Sequence, residues 1–158
     1  MKEPTADKLE NPNDESVGAW VKQLYFAARA AMDSVLRPYG LGSTQWYVLH
    51  QLANKGPTLQ SDLVRILRIE RATLSGVVAT LVRKGFVDQT PDSVDQRQRM
   101  LRITRSGRKL WKELPDLIRL IRIVAFDGID PAKLAIAHRV LRTATQRLNE
   151  HISGGNPV

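Results

Sequence analysis

The chain has 158 residues, which is enough for one domain with a helical extension. Its 42% hydrophobic and 25% charged residues are the balance of a globular protein with its own core. The absence of cysteine excludes disulfide frameworks, cysteine-based zinc sites and thiol chemistry, and it fits a reducing, cytoplasmic location. The start of the chain is polar and acidic, unlike a signal peptide, and no apolar stretch is long enough to span a membrane.

The formal net charge of +8 is unevenly distributed along the chain. Residues 1–16 carry two basic and five acidic side chains, a net of −3, whereas residues 58–109 carry eleven basic and five acidic ones, a net of +6. Such a concentration of charge fits either a solvated face or a nucleic-acid-binding surface. The fold predicted for this segment is needed to distinguish the two.

Two helices are predicted before the basic segment. Residues 1–14 read as a flexible tail, and a first helix should begin near Asp14–Ser16, with apolar residues every three or four positions up to Val35. Pro38 and Gly40 should end it. A second helix should start with Thr44 as its cap and stop at the Gly56-Pro57 pair.

The middle of the chain has the pattern of a helix-turn-helix followed by a hairpin. A short helix over residues 60–67, a turn over 68–71 and a helix reaching about Lys84 give two helices joined by a tight connection. Gly85 marks the C-terminal stop. Strand-like residues 86–90 and 99–104 flank a polar loop, which predicts a β-hairpin, or wing, directly after the second helix of the motif.

The last third of the chain should be helical. Thr104 should cap a long helix that Pro115 kinks, since proline deletes one main-chain hydrogen bond. Asp130-Pro131 is a cap followed by proline at the first helical position. The final helix carries apolar residues in alternating three and four spacing, which is the seam of a helix that packs along a partner: Leu134, Ala137, Leu141, Ala144 and Leu148. Residues 153–158 read as a second flexible tail.

The second helix of the motif is the one that would fit the DNA major groove, so its outward residues are candidates for contact with bases and phosphates. An arginine on the projecting wing tip, Arg97, can enter a minor groove, and Asp95 could pair with an arginine to shape the tip. The predicted DNA-binding residues are Gln60, Ser61, Arg71, Thr73, Ser75, Gly76, Lys84, Arg97, Arg99 and Arg105.

Two segments resemble the MarR family, the multiple-antibiotic-resistance regulators. The stronger one is Asp95-x-Arg97-x3-Leu101-x-Ile103-Thr104-x2-Gly107, which is similar to the family's wing signature and the start of its fifth helix. The other runs from Leu63 through Thr73-Leu-Ser75 to Gly85-Phe-Val87. The chain departs from the family at Gln96, where a basic residue is frequent, and at Gly76, where arginine is frequent.

The resemblance implies a mainly α fold with a small β-hairpin wing, a homodimer, and binding to a pseudo-palindromic operator in double-stranded DNA, usually as a repressor. It divides the chain into a dimerisation helix (15–40), a winged helix-turn-helix domain (41–105) and C-terminal dimerisation helices (106–152). It also implies a small aromatic or phenolic effector, with its acyl-coenzyme A thioester as a further option that Arg119 and Arg122 could meet. The ligand-binding candidates are Tyr25, Arg29, Tyr39, Trp46 and His50.

Other functions are less well supported by the sequence. It contains no P-loop, GxGxxG, GxSxG or HExxH motif, so no enzyme is predicted, and the three scattered histidines suggest neither a metal site nor a cofactor. Three alternatives stay open: a winged-helix module that binds protein or RNA, a regulator that needs no effector, and an enzyme of unfamiliar type.

Overall fold

The computed structural model describes residues 16–154. The described part divides into two compact units, one ending at Leu117 and one starting at Ile118. The elements of the first unit are, in chain order, α1 (Val17–Leu36), a 3-10 turn (Arg37–Tyr39), α2 (Ser43–Lys55), β1 (Thr58–Leu59), α3 (Gln60–Leu67), α4 (Arg71–Arg83), β2 (Val87–Pro91), β3 (Arg99–Ile103) and α5 (Arg105–Glu113). Two more helices follow, α6 (Leu117–Phe126) and α7 (Pro131–Ser153).

Helix α1 begins and ends where its sequence predicts. Ser16 caps it, because the hydroxyl oxygen of Ser16 accepts a hydrogen bond from the N–H of Ala19 at 3.2 Å. Met32 and Leu36 at its C-terminal end are buried, whereas Trp20 and Leu24 nearer the start are exposed. The predicted apolar stripe is therefore packed in this chain only at its C-terminal end.

The start of α2 differs from the prediction. Thr44 is already inside the helix, and Gly42 is the cap residue. The side chain of Gln45 accepts a hydrogen bond from the N–H of Gly42 at 3.0 Å, and Asp33 of α1 accepts one from the N–H of Ser43 at 2.6 Å. Two side chains thus satisfy the first N–H groups of α2, and the hydroxyl of Thr44 remains available to Arg29.

The helix-turn-helix has the predicted boundaries. Helix α3 ends at Arg68, whose left-handed backbone (φ 51°) reverses the chain, and α4 starts at Arg71. Leu63 of α3 and Leu74, Val78 and Leu81 of α4 are buried. Ile66 of α3 is half exposed. The chain leaves α4 through Gly85, where a positive φ of 74° is available to glycine without steric cost.

The sheet contains one strand more than the predicted hairpin. Strands β2 and β3 pair antiparallel from Val87 opposite Ile103 to Pro91 opposite Arg99, and β1 pairs with the other edge of β3. Leu101 and Ile103 point to the same buried face, as the alternation predicts. The core beneath the sheet is made of fully buried side chains from α1 to β3 and the start of α6: Leu36, Val48, Leu49, Leu52, Leu63, Leu74, Val78, Leu81, Val87, Leu101 and Leu117.

The predicted long helix after Thr104 is two helices. Thr104 does cap α5, since its hydroxyl accepts from the N–H of Gly107 at 3.0 Å. The helix ends at Glu113, because the residue before a proline is pushed out of the helical conformation and Leu114 is extended (φ −70°, ψ 141°). Pro115 therefore breaks this segment instead of kinking it.

Helix α7 begins with both of its predicted N-terminal features. Asp130 caps it by accepting from the N–H of Ala132 at 2.8 Å, and Pro131 takes the first helical position, both as predicted. Its 23 residues include no buried one. Leu141 and Leu148 of the three-four seam are exposed in the single chain.

Candidate nucleic-acid interface

The outer face of α4 is polar and exposed over its whole length. Arg71, Thr73 and Ser75 lie on this face, and Gly76 and Ala79 complete it with small side chains. The buried residues of the same helix lie on the opposite side, so the core fixes which face of α4 is presented. Nothing lies within 4 Å of a Cβ placed on Gly76, which leaves open space along the helix there.

Gln60, the first residue of α3, connects α4 to the wing. Its amide nitrogen donates to the hydroxyl of Ser75 at 3.2 Å, and its amide oxygen accepts from the side chain of Gln89 on β2 at 2.6 Å. Beside it, the hydroxyl of Ser61 donates to the side-chain oxygen of Gln98 at 2.7 Å. Gln60 and Ser61 were predicted from the sequence, and Gln89 and Gln98 were not.

The wing tip is shaped by two carboxylates that accept main-chain hydrogen bonds. Asp92 accepts from the N–H groups of Asp95 and Val94, both at 3.1 Å, and these bonds lower the pKa of the Asp92 carboxyl from its ordinary value. Asp95 accepts from the N–H of Arg97 at 3.0 Å. The expected pairing of Asp95 with a guanidinium is therefore replaced by a bond to the main chain, and the side chain of Arg97 is exposed.

A cleft of about 550 Å³ separates α4 from the wing. Three guanidinium groups line it, those of Arg71, Arg97 and Arg99, and no carboxylate is among its lining residues within the described range. The remaining lining residues are polar or small: Gln60, Ser61, Val64, Ser75, Ala79, Gln89 and Gln98. Such a cleft suits a phosphate-bearing strand, because guanidinium groups bind phosphate oxygens in pairs.

The other predicted DNA-binding residues lie outside this cleft. Thr73 and Gly76 are on the exposed face of α4. Lys84 donates from its ammonium group to the main-chain oxygen of Gly40, so part of its hydrogen-bonding capacity is used within the protein. Arg105 lies at the start of α5 and lines a separate groove.

Four of the candidate effector residues lie in two groups, and Tyr39 lies apart from both. In the first, Arg29 donates to the hydroxyl of Tyr25 at 3.2 Å and to the hydroxyl of Thr44 at 2.7 Å, and its guanidinium lies 5.7 Å from the centre of the Tyr25 ring. Tyr25 is about half exposed. Tyr39 lies in the 3-10 turn, and it is 36% exposed.

The second group is an aromatic cluster built on α2. The ring of Trp46 stacks on His50 with 4.9 Å between centres, and Trp111 of α5 lies 5.5 Å from Trp46 and 5.7 Å from His50. Burial, with a smaller contribution from Lys55, lowers the pKa of His50. The indole N–H of Trp46 is buried without a hydrogen-bond partner within residues 16–154. Trp111 was missed, because its contact with Trp46 joins distant parts of the sequence.

Within residues 16–154, no three His, Asp or Glu side chains come together in a way that would hold a metal ion. No helix in that range combines the length and apolarity needed to cross a membrane.

Comparison with known proteins identifies the family. The model of the MarR family matches residues 39–98, which run from the turn after α1 to the wing tip. The transcriptional repressor NicR of Pseudomonas putida is 30% identical over 142 residues, a match that covers 88% of this chain and 90% of NicR. The transcriptional activatory protein BadR of Rhodopseudomonas palustris is 38% identical over 80 residues, and this match covers only 48% of this chain and 45% of BadR.

Solved structures agree with this result. BpsR of Bordetella bronchiseptica, whose DNA binding is regulated by 6-hydroxynicotinic acid, is 26% identical, with a TM-score of 0.73 over 83% of this chain and 94% of that one. A MarR variant from E. coli in complex with operator DNA has the same fold, with a TM-score of 0.73 over 81% of this chain and 92% of its own, at 17% identity. The mainly α fold with a wing and the family resemblance are confirmed. This chain belongs to the MarR family and is a DNA-binding transcriptional regulator.

Proposed function

We propose that the chain represses transcription as a homodimer, by binding a pseudo-palindromic operator in the cytoplasm until a small aromatic acid releases it. The cleft between α4 and the wing carries this proposal, since three guanidinium groups line it without a carboxylate. Repression is favoured over activation because NicR, a relative matched over 90% of its length, is a repressor. A DNA strand seated in the cleft would place one groove under α4 and the next under the wing.

The proposed contacts divide into those that read bases and those that hold phosphates. Thr73 and Ser75 on the exposed face of α4 have hydroxyl groups that bond base edges or phosphates. Arg71 and Arg99 line the cleft as phosphate ligands. Arg97 at the wing tip enters the minor groove, where the negative potential is strongest when the groove is narrow. Gln60 and Ser61 reach the same strand from the start of α3.

The dimer is proposed from the apolar surface that the single chain leaves uncovered. Val17, Trp20 and Leu24 of α1 are exposed, as are Leu141 and Leu148 of α7. Apolar side chains that recur on one face of a helix mark a protein contact. A symmetric dimer would bury them and present two copies of α4 to two half-sites about one helical turn apart.

The effector is proposed from side-chain chemistry and from the ligand of one similar protein. The Arg29 guanidinium would pair with a carboxylate, and Tyr25 beside it offers an aromatic ring and a hydroxyl. The cluster of Trp46, His50 and Trp111 offers a second aromatic wall and a free indole N–H. The DNA binding of BpsR, which is 26% identical to this chain, is regulated by 6-hydroxynicotinic acid. A small aromatic acid therefore fits better than a larger thioester.

The release mechanism would be a shift between two conformations. An effector that binds more tightly to a conformation with wrongly spaced α4 helices lowers the population that can contact both half-sites. The effector acts only through this difference in affinity, so a ligand with equal affinity for both conformations would leave the complex with DNA unchanged.

DNA binding is tested by selecting the duplex that binds best from a random library. The affinity of the protein for this selected duplex is then compared with its affinity for a scrambled duplex. We expect a preference of at least a thousandfold at physiological salt, with affinity falling steeply as salt increases. Equal affinity for both duplexes would refute sequence-specific regulation. Tighter binding to single-stranded RNA than to the selected duplex would favour the RNA-binding alternative.

Effector binding is tested by thermal unfolding with 6-hydroxynicotinic acid, benzoic acid and benzoyl-coenzyme A. A ligand bound by the native state raises the melting temperature, by an amount that grows with its concentration above Kd. Arg29→Gln should abolish the shift, and Lys22→Gln, on the same helix, should keep it. If all three compounds leave the melting temperature and the DNA complex unchanged, the regulator that needs no effector is the better description.

A further inference from the structure

The exposed side of α5 carries a regular row of positive charge. Arg105, Arg108, Lys109 and Lys112 are spaced three, four and seven residues from the first, which places them on one face of the helix. All four side chains are exposed. These four residues are called the basic face of α5 below.

Acidic neighbours do not balance this charge. The basic face and Ser106 line a groove of about 560 Å³, and no carboxylate is among its lining residues within the described range. None of the four basic side chains forms an ion pair with a carboxylate of residues 16–154. Like charges at these spacings weaken a helix by a few tenths of a kcal/mol per pair. An external polyanion would relieve that repulsion.

The start of the basic face is held against the C-terminal end of α4, the helix that we propose to contact DNA. Thr104, which caps α5, donates from its hydroxyl to the main-chain oxygen of Gly85 at 2.7 Å, and Gly85 lies two residues after the end of α4. Gly107 packs so closely on the main chain of Phe86 that a Cβ there would lie 2.2 Å from the Phe86 oxygen. The row of charge thus starts beside the C-terminal end of α4, and none of its residues lines the cleft between α4 and the wing.

From these observations, and resting on the DNA-binding function proposed above, we infer that the basic face of α5 holds the phosphate backbone of DNA outside the base pairs contacted by α4 and the wing. Seven residues of helix rise about 10 Å, which is longer than one step between neighbouring phosphates of a strand. The four cations can therefore meet successive phosphates of a single strand. This contact adds affinity and salt dependence without reading sequence.

The experiment compares a selected duplex of about 20 base pairs, long enough for two half-sites, with the same duplex extended by about ten unselected base pairs on each side. The test protein is the full chain with Arg108→Gln, Lys109→Gln and Lys112→Gln, which keeps Arg105. The control protein carries Arg139→Gln, Arg142→Gln and Arg147→Gln, three exposed cations of α7 outside its three-four seam. Both variants lose three positive charges, so a difference in their affinities comes from the position of the charges and not from their number.

We expect the α5 variant to bind the long duplex at least tenfold more weakly than the α7 control at 100 mM salt. On the short duplex the two should agree within about twofold. Each lost phosphate contact lowers the slope of log affinity against log salt by about 0.9, so the slope on the long duplex should fall by two or more. The melting temperature of the α5 variant should not decrease, because its substitutions remove repulsion.

Three results would overturn the inference. The first is equal affinity of the α5 variant and the α7 control for the long duplex. The second is an equal loss on both duplexes, which would place the basic face inside the sequence-read site. The third is an unchanged salt slope. The proposed function fails differently, because the wild-type chain would then prefer neither duplex over a scrambled one.

Discussion

At the scale of single residues, Arg97 provides the most direct test of the DNA-binding proposal. The Asp95 carboxylate holds its main-chain N–H, which fixes the direction of the tip without occupying the guanidinium. Arg97→Ala should weaken binding to the selected duplex by about 1–3 kcal/mol, or roughly fivefold to 150-fold. Fluorescence anisotropy measures this loss.

The control for Arg97 is Arg83→Ala, which removes an equal charge from the last turn of α4, outside the residues that line the cleft. Arg83→Ala should retain most of the affinity. Equal losses in the two variants would show that only total charge matters and would remove Arg97 from the minor groove.

Gly107 supports a second prediction, which concerns stability. A Cβ at this position would lie 2.2 Å from the oxygen of Phe86 and 2.8 Å from Cγ1 of Ile103, and a main-chain oxygen cannot move aside at small cost. Gly107→Ala should destabilise the fold by about 2 kcal/mol and lower the melting temperature by roughly 4–8 °C. Differential scanning calorimetry gives both quantities.

Gly76→Ala is the matched substitution, because it adds the same methyl group to a helix where nothing lies within 4 Å. Alanine has the higher helix propensity, so this variant should gain about 0.5–1 kcal/mol. A Gly107→Ala protein as stable as Gly76→Ala would mean that the start of α5 can move away from Phe86.

At the scale of elements, the wing depends on Asp92. Its carboxylate accepts two main-chain hydrogen bonds at the start of the loop, and it is the ionised form that accepts them. Asp92→Ala should speed amide hydrogen exchange over residues 92–98 and weaken DNA binding, whereas Ser93→Ala should do neither. Unchanged exchange in Asp92→Ala would show that the strands alone hold the loop.

The pH dependence of this loop follows from the same bonds. The folded pKa of Asp92 lies below its unfolded value, so the stabilisation is complete above the unfolded pKa and is lost as pH falls through the folded pKa. The protection of residues 92–98 that depends on Asp92 should therefore be constant around neutral pH and disappear only in acid.

The sequence predicts elements well where local rules act alone. The bounds of α3 and α4, the stop at Gly85 and the caps at Ser16, Thr104 and Asp130 follow from periodicity, glycine and side-chain oxygens within three residues. β1 was missed because two residues are too short to show alternation. The break at Pro115 was underestimated, because whether a proline kinks or ends a helix depends on the packing around it.

In the candidate site, too, features that depend on one element were predicted, and contacts between residues distant in sequence were missed. The exposed face of α4 and the arginine at the wing tip can be predicted from spacing within one element. Gln89 and Gln98 owe their places to contacts with α3, 29 and 37 residues away in sequence. Trp111 contacts Trp46 from a position 65 residues further along the chain. Contacts of this kind depend on the tertiary fold, and neither hydropathy nor spacing encodes them.

At the scale of the whole molecule, the uncovered apolar residues of α7 lead to a prediction about assembly. Leu141 and Leu148 are 38% and 64% exposed in the single chain, although they lie on the seam of a helix-packing pattern. Replacing both with alanine should shift the protein from dimer to monomer in sedimentation velocity. It should also weaken operator binding more than fivefold, since one α4 cannot use the second half-site.

The comparison for this variant is Arg139→Ala with Arg147→Ala, which shortens two exposed side chains of the same helix outside the seam. This double variant should sediment as the wild-type protein does. A dimer that survives the loss of both leucines would show that α7 does not carry the assembly.

Gln60 links α4 to the wing, the two elements that we propose to contact the major and the minor groove. One end of its amide holds Ser75 on α4, and the other end holds Gln89 at the root of the wing. A base change that displaces α4 would then also pull on the wing, and the converse would hold. The free-energy penalties of base changes under the helix and under the wing should therefore not be additive, so a table of independent base preferences would misjudge the operators that this protein tolerates.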